Sequence, residues 1–107
     1  MVKVQLGAGN ALPTRVGALT LLAGESFLKS AILDNINEYV YFGTETAPGI
    51  VVKVDISGAL PTRIGNLVLD YGAGENSLDS AAIDVAAGSG YFGCFSQPGE
   101  STTFLGL

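Results

Sequence analysis

Histidine and tryptophan are absent from this 107-residue sequence, and cysteine occurs once. Without histidine, neither a Ser-His-Asp nor a Cys-His catalytic arrangement can form, and the commonest protein ligand of transition metals is missing. A single cysteine cannot form a disulfide within the chain. We therefore expect no hydrolytic triad, no metal site and no cofactor, and a fold that packing alone holds together.

Basic residues are scarce as well. The chain has five Lys and Arg residues and ten Asp and Glu residues, which gives a net charge of -5. They form no cluster, so we expect no nucleic acid partner, whose phosphates would require one. No apolar run reaches the roughly 18 residues of a membrane helix. The first residues, MVKVQL, alternate like a strand rather than like a signal peptide. These features predict no membrane partner and no targeting segment, and they favour a cytoplasmic location.

Apolar residues, by contrast, make up 48% of the chain and charged residues 14%, with 15 glycines. This composition is too hydrophobic for a disordered chain and too rich in glycine for a helical bundle, so it favours an all-β fold. Short segments with β-branched or aromatic residues, bounded by Gly, Pro, Asn or Asp, predict nine strands. They cover about residues 2–6, 14–21, 28–34, 39–44, 50–56, 62–69, 78–84, 89–94 and 101–105.

The chain also contains an internal repeat. LPTR at residues 12–15 recurs at 60–63, an offset of 48, and SAILD at residues 30–34 recurs as SAAID at 80–84, an offset of 50. A two-residue insertion in a predicted surface turn of the second copy explains the change of offset. Each period holds four predicted strands. This period and strand number are typical of β-propeller blades, which have roughly 40 to 50 residues and four strands.

Four segments, SAILD, YVYFGT, APGIVVKVDIS and LPTRVGALTL, resemble the highly repetitive bacterial β-propeller repeats related to the YVTN group. The resemblance covers nearly the whole chain. It implies that SAILD is the innermost strand A of a blade, YVYFGT strand B, IVVKVDI strand C and TRVGALTL the outer strand D. The chain then reads C-D, A-B-C-D, A-B-C. A propeller implies no particular chemistry, since the fold serves many functions.

The predicted fold class is therefore all-β, a β-propeller fragment of two four-stranded antiparallel blades. Residues 1–107 form one unit, with repeat copies at about 12–59 and 60–107 and a partial blade at each end. The small residues of the A strands suit the crowded propeller axis, and aromatic residues of the B strands are expected to fill the space between blades. Those aromatic residues are Tyr41, Phe42, Tyr91 and Phe92.

Two blades leave two apolar faces bare, so we expect the chain to close a ring with copies of itself. The blade number must be even, and we favour a homotrimer with six blades over a tetramer with eight. The partial blades predict strand exchange, in which residues 14–21 of one chain supply strand D to its neighbour. One C strand is then redundant, either 2–6 or 101–105. The sequence does not decide which of these two strands is redundant. It also leaves open the possibility that the chain is a fragment of a longer repeat array.

One repeated position changes charge, because Lys29 in the first copy corresponds to Asp79 in the second. In a closed ring these charges would alternate around one rim, to which four loops belong: residues 22–27, 45–49, 70–77 and 95–99. The candidate ligand contacts at this rim are Glu25, Lys29, Tyr71, Glu75, Asn76 and Asp79. The alternative is an ordinary solvated loop surface without a ligand.

The expected function is a non-catalytic, homo-oligomeric propeller that binds a small polar ligand, a glycan or a peptide at its channel or rim. A structural or interaction scaffold is one alternative. A hydrolase-type enzyme is the other, although the sequence lacks histidine. The carboxylate pairs Glu25 with Glu75 and Asp34 with Asp84 follow from the duplication and need no catalytic explanation. Cys94 is interpreted as a small core residue, since a nucleophile requires a nearby base.

Overall fold

The computed structural model describes residues 1–95 and 103–106, the latter as backbone. In this part of the chain all regular structure is β, and no helix occurs that is long and apolar enough to cross a membrane. The strands are β1 (Val2–Gln5), β2 (Thr14–Ala18), β3 (Leu28–Asp34), β4 (Tyr39–Thr44), β5 (Ile50–Asp55), β6 (Thr62–Val68), β7 (Leu78–Asp84), β8 (Ser89–Cys94) and β9 (Thr103–Gly106).

The strands form three antiparallel sheets whose order follows the chain. The first sheet contains β1 and β2, the second contains β3 to β6, and the third contains β7 to β9. The prediction of an all-β chain is confirmed. The largest difference in strand length is at β2, which was predicted to extend to residue 21 but ends at Ala18. Beyond Ala18, Leu19 and Met1 exchange two hydrogen bonds, from Leu19 N to Met1 O at 2.8 Å and from Met1 N to Leu19 O at 3.0 Å.

The internal repeat of the sequence reappears in the backbone pairing. The β1–β2 and β5–β6 hairpins share one register and one irregularity, in which a residue of the second strand, Val16 or Ile64, is left unpaired as a β-bulge. The corresponding pairs are Lys3 with Gly17 and Val4 with Arg15 in the first hairpin, and Lys53 with Gly65 and Val54 with Arg63 in the second. The first sheet is thus equivalent to the last two strands of the second sheet.

The β3–β4 and β7–β8 hairpins are equivalent in the same way. In both, the third residue of the inner strand pairs with a glycine, Ser30 with Gly43 and Ser80 with Gly93, and the residue before it is bulged. The bulged residues are Lys29 and Asp79, the two positions that differ in charge between the copies. The third sheet is therefore equivalent to the first three strands of the second sheet, and β9 takes the place of β5.

Strands β3 and β7 bring the second and third sheets together, and this contact requires small residues. Ser30 Oγ donates a hydrogen bond of 2.6 Å to the backbone oxygen of Leu78. A Cβ atom on Gly43 would lie 2.7 Å from the Cβ of Leu78 and 3.0 Å from the ring of Phe92, which is too close for either neighbour. Glycine at position 43 thus permits the approach of the two sheets.

The hydrophobic core lies between the second and third sheets. Its buried residues are Ile32, Val51, Leu78, Phe92 and Cys94. Of the aromatic residues that were expected to fill this space, Phe92 is fully buried, whereas Phe42, its counterpart in the first copy, is only half-buried. The difference arises because Phe92 faces the complete second sheet.

We expect Phe92→Ala to lower the free energy of unfolding by about 3 to 5 kcal/mol, because it removes a fully buried ring from the core. The matched change Phe42→Ala should cost clearly less, since that side chain is half-buried in a single chain. Chemical denaturation of both variants measures the difference. Equal losses would contradict the placement of the core between the second and third sheets.

The turns after β3 and β7 also correspond, but they use different residues at one strained position. Glu38 has a positive φ of 62°, and its counterpart Gly88 has a φ of 70°. The Asp34 carboxylate accepts hydrogen bonds from backbone nitrogens of its turn, and Asp84 accepts one from Ala87 N at 3.2 Å. Left-handed backbone favours glycine, so the first copy holds a residue that strains this turn.

Glu38→Gly should raise the free energy of unfolding by about 0.5 to 1 kcal/mol, because relief of the left-handed strain outweighs the added freedom of the unfolded chain. Gly88→Ala should lower it by about 1 kcal/mol through the backbone alone, since a Cβ atom there would meet nothing within 4 Å. Thermal or chemical unfolding tests both changes. A lower free energy of unfolding in Glu38→Gly, together with a higher one in Gly88→Ala, would show that the turns relax to another conformation.

Candidate functional site

Three loops meet at one end of the sheets, and we call them the rim: residues 19–27, 45–49 and 69–77. Backbone hydrogen bonds join them in sequence, from Glu45 N to Phe27 O at 2.7 Å, from Gly49 N to Glu75 O at 2.8 Å and from Ser77 N to Thr46 O at 2.9 Å. The fourth loop of the sequence prediction, 95–99, lies outside the described residues beyond position 95. The rim therefore runs continuously from the first sheet to the third.

Glu25 lies at the rim but is buried, with 1% of its surface exposed. Its carboxylate accepts hydrogen bonds from Arg63 Nε at 2.9 Å and Arg63 Nη2 at 2.6 Å, as well as from Asn66 Nδ2. A fourth bond, of 3.0 Å, comes from the backbone nitrogen of Leu22. Glu25 thus ties the loop before β3 to the outer strand β6. Its role as a ligand contact stays a prediction, and its carboxylate oxygens already accept these four hydrogen bonds within the chain.

The hydrogen bonds from Arg63 hold the pKa of Glu25 at about 2, below its usual 4.5, against the opposing effect of burial. Further donation from Asn66 and Leu22 acts in the same direction. A buried carboxylate is tolerated only when it is paired and its hydrogen bonds are satisfied. Sequence reasoning singled out Glu25 but missed Arg63 and Asn66. The available signal was the arginine that LPTR repeats in both copies.

Because the pKa of Glu25 is lowered, the free energy of unfolding is expected to decrease in acid. Because the folded-state pKa lies below the unfolded one, the stabilisation is complete above about pH 4.5 and is lost as the pH falls toward about 2. The loss should amount to about 3 kcal/mol. Asp34 and Asp55 also have lowered pKa values, so every variant should lose some stability in acid. Denaturation curves from neutral pH downward should show a loss about 3 kcal/mol smaller in Glu25→Gln than in the wild type and in the control Glu75→Gln. A wild-type curve that is flat over this range would contradict the prediction.

Glu75 occupies the equivalent place in the second copy and keeps only part of this network. Its Oε1 accepts a bond of 2.8 Å from Asp70 N, as Glu25 does from Leu22 N. The third sheet contains no fourth strand in the described part of the chain, so no arginine reaches this carboxylate. Glu75 is consequently half-buried and without a cation.

Lys29 and Asp79, the charge-differing pair, do not form an ion pair with each other within the described chain. Lys29 Nζ instead lies 4.0 Å from Glu45 Oε2, with both side chains about half exposed. Such an exposed pair contributes roughly 0 to 1 kcal/mol. The second copy has Phe95 at the position of Glu45 and Asp79 at the position of Lys29, so both partners of this contact differ between the copies.

Two acceptor atoms at the third sheet have no partner. Asn76 Oδ1 and Asp79 Oδ1 are buried from solvent and form no hydrogen bond in the described structure. Such groups normally have a partner, because an unsatisfied buried acceptor costs about 1 to 3 kcal/mol. Tyr71, in the same loop as Asn76, is 65% exposed. The exposed Tyr71 ring therefore shares a rim loop with one buried acceptor that has no partner in the described structure, and a second such acceptor follows in β7.

Away from the rim, a cavity of about 450 Å³ separates the second and third sheets. Its walls are mostly apolar, and polar side chains stand at its edge. The apolar walls include Ile32, Tyr41, Val51, Leu67, Ile83 and Phe92, and the polar edge includes Asp34, Lys53 and Asp84. The sequence carried no signal of this cavity, because its volume depends on the spacing between two sheets.

Cys94 is buried, and burial first and the nearby Glu75 charge second raise the pKa of its thiol. A raised pKa keeps the thiol protonated and a poor nucleophile, in agreement with its interpretation as a core residue. Among the described residues, no group of three or more Cys, Asp or Glu side chains could hold a metal ion.

Comparisons of the chain with protein-family models, with curated proteins and with solved structures found no match. The function must therefore be argued from the residues and distances of this chain.

Proposed function

We propose that this chain is the subunit of a homo-oligomeric β-propeller that binds a small polar ligand, a glycan or a peptide, at its rim. The observation that carries the binding function is the pair of buried, unpartnered acceptors at Asn76 and Asp79. A ligand that offers hydroxyl or amide donors would satisfy both. The Tyr71 ring, in the same loop as Asn76, is exposed and offers an apolar surface of the kind on which sugars and peptides pack.

Equivalent sheets support the propeller part of this proposal. The second sheet is a four-stranded meander in chain order, and the neighbouring sheets repeat parts of it with the same registers and bulges. Strands β3 and β7, each the first strand of its sheet, contact one another through Ser30 and Leu78. A contact along the first strands is what neighbouring blades of a propeller would make, and it supports the proposed arrangement.

Incomplete sheets at both ends of the chain support the oligomeric part. Among the described residues the first sheet has two strands and the third has three, whereas the second sheet has four. Apolar side chains that a neighbouring sheet would cover are exposed, including Val2 at 59% and Val16 at 45%. Identical chains could cover these surfaces mutually, and a trimer with six blades is the ring we favour.

A binding role agrees better with the rim than a catalytic one. Glu25 is engaged by Arg63, so the duplicated glutamates do not form a pair of free carboxylates. Cys94 is buried and protonated, and the sequence has no histidine to act as its base. A scaffold without a ligand would leave the Asn76 and Asp79 acceptors unsatisfied, which makes it the second candidate.

A glycan array and a peptide library, each probed with the assembled wild-type protein, test this function. We expect a ligand whose affinity falls about tenfold or more in Tyr71→Ala and in Asp79→Ala, because each removes one side of the contact. Glu38→Gly, at the opposite end of β3 from the rim, should bind as the wild type does. A protein that assembles but binds neither library would instead be a scaffold. If Tyr71→Ala and Asp79→Ala bind as well as Glu38→Gly does, the ligand binds at another place on the protein.

A further inference from the structure

The β1–β2 hairpin lacks the strands that its equivalent hairpin packs against. In the second sheet, the counterparts of Val2 and Val4 are Val52 and Val54, and both of these are fully buried. Val2 and Val4 are 59% and 46% exposed. In the second sheet β4 pairs with β5 over five residues, whereas among the described residues no strand pairs with the equivalent edge of β1. The first hairpin is therefore half of a sheet with an open edge.

The duplication also leaves one glutamate without an arginine and one arginine without a carboxylate among the described residues. Glu75 occupies the place of Glu25 but has no arginine, and Arg15 occupies the place of Arg63 but has no carboxylate among the described residues. Arg15 is exposed, and it is paired with Val4 in the register in which Arg63 is paired with Val54. Within one chain the two groups belong to different sheets, so they can reproduce the Glu25–Arg63 contact only between chains.

The cavity between the second and third sheets lies on the side where this hairpin would arrive. Phe92 of β8 lines the cavity, and its counterpart Phe42 is paired with Val52. Residues paired across an antiparallel ladder project to the same face of the sheet. A strand placed beside β8 in the register of β5 on β4 would therefore direct Val2 and Val4 toward the apolar cavity.

We propose that the β1–β2 hairpin of a second copy of this chain docks on β8, in the register of β5–β6 on β4, and completes the third sheet. Arg15 of that copy then pairs with Glu75, and its Val2 and Val4 pack against the cavity wall near Phe92. This inference rests on the proposed homo-oligomer and specifies the contact that closes it. It also decides between the two redundant strands, since β9 is displaced and β1 is kept.

Displacement of β9 costs few contacts. Strand β9 pairs with β8 over four residues, and the incoming β1 has four residues to offer in return. The hairpin also keeps its own β1–β2 pairing, which would be lost if β2 alone joined the free edge of β9. In the single chain, β9 thus covers an edge that the second copy covers in the assembly.

Charge reversal tests the proposed ion pair. Arg15→Glu and Glu75→Arg should each weaken self-association about tenfold or more, measured by sedimentation over a dilution series, because each places like charges in contact. The double variant with both changes should recover most of the wild-type affinity. Glu38→Arg makes the same charge change in a turn at the other end of the sheet and should leave the affinity unchanged.

These measurements separate the two proposals. A wild type that is monomeric at every concentration would overturn both the oligomeric propeller and this contact. A wild type that assembles, with single variants that associate equally well, would overturn the contact and leave the oligomer standing.

A disulfide tests the register and the displaced strand. Lys53 is paired with Tyr41, so Lys3 of one chain should lie opposite Tyr91 of another. A chain with both Lys3→Cys and Tyr91→Cys should form interchain disulfides under mild oxidation, seen as covalent multimers on a non-reducing gel. Chains with either change alone should not. Assembly of the double cysteine variant without covalent multimers would show that β1 does not replace β9, and would overturn the proposed docking.

Discussion

Strand β5 of the second sheet is buried on both of its faces, and much of the packing around it follows from that constraint. Neighbouring residues of a strand point to opposite faces, yet Val51 and Val52 of β5 are 5% and 0% exposed. Val51 belongs to the core shared with the third sheet. Val52 is paired with Asn66, which reaches Glu25 in the loop that follows the first sheet. A strand that is apolar on both faces needs cover on each side, and the described residues place the third sheet on one side of β5 and the Glu25 loop on the other.

Close approach of these neighbours depends on small side chains at the inner strands. Ser30 bonds the backbone of Leu78, and Gly43 leaves room for Leu78 and Phe92. The same serine and glycine pair recurs as Ser80 and Gly93 in the third sheet. The third sheet therefore has the same pair of small residues at the position where the second sheet contacts its neighbour.

The duplication also shows how one residue acquires different roles when its surroundings differ. Glu25 and Glu75 are equivalent, but only Glu25 meets an arginine, which lowers its pKa and makes it a structural anchor. Lys29 pairs with Glu45, while the second copy has Asp79 with a buried, unpartnered oxygen. The rim is consequently symmetric in backbone and asymmetric in chemistry. Its binding function is proposed for the second copy because the first has satisfied its own polar groups.

The sequence by itself determined the β class, the nine strands and the equivalence of the two copies, because alternation of apolar residues and turn residues are local signals. It also identified Lys29 and Asp79 as a special position, which proved to be a bulge in both copies. Only the tertiary structure decided which polar residues are available. Glu25 was predicted as an open contact at the rim, but Arg63, 38 positions along the chain, binds its carboxylate. Burial, ion pairing and the cavity between sheets depend on contacts between distant residues, and no local pattern specifies them.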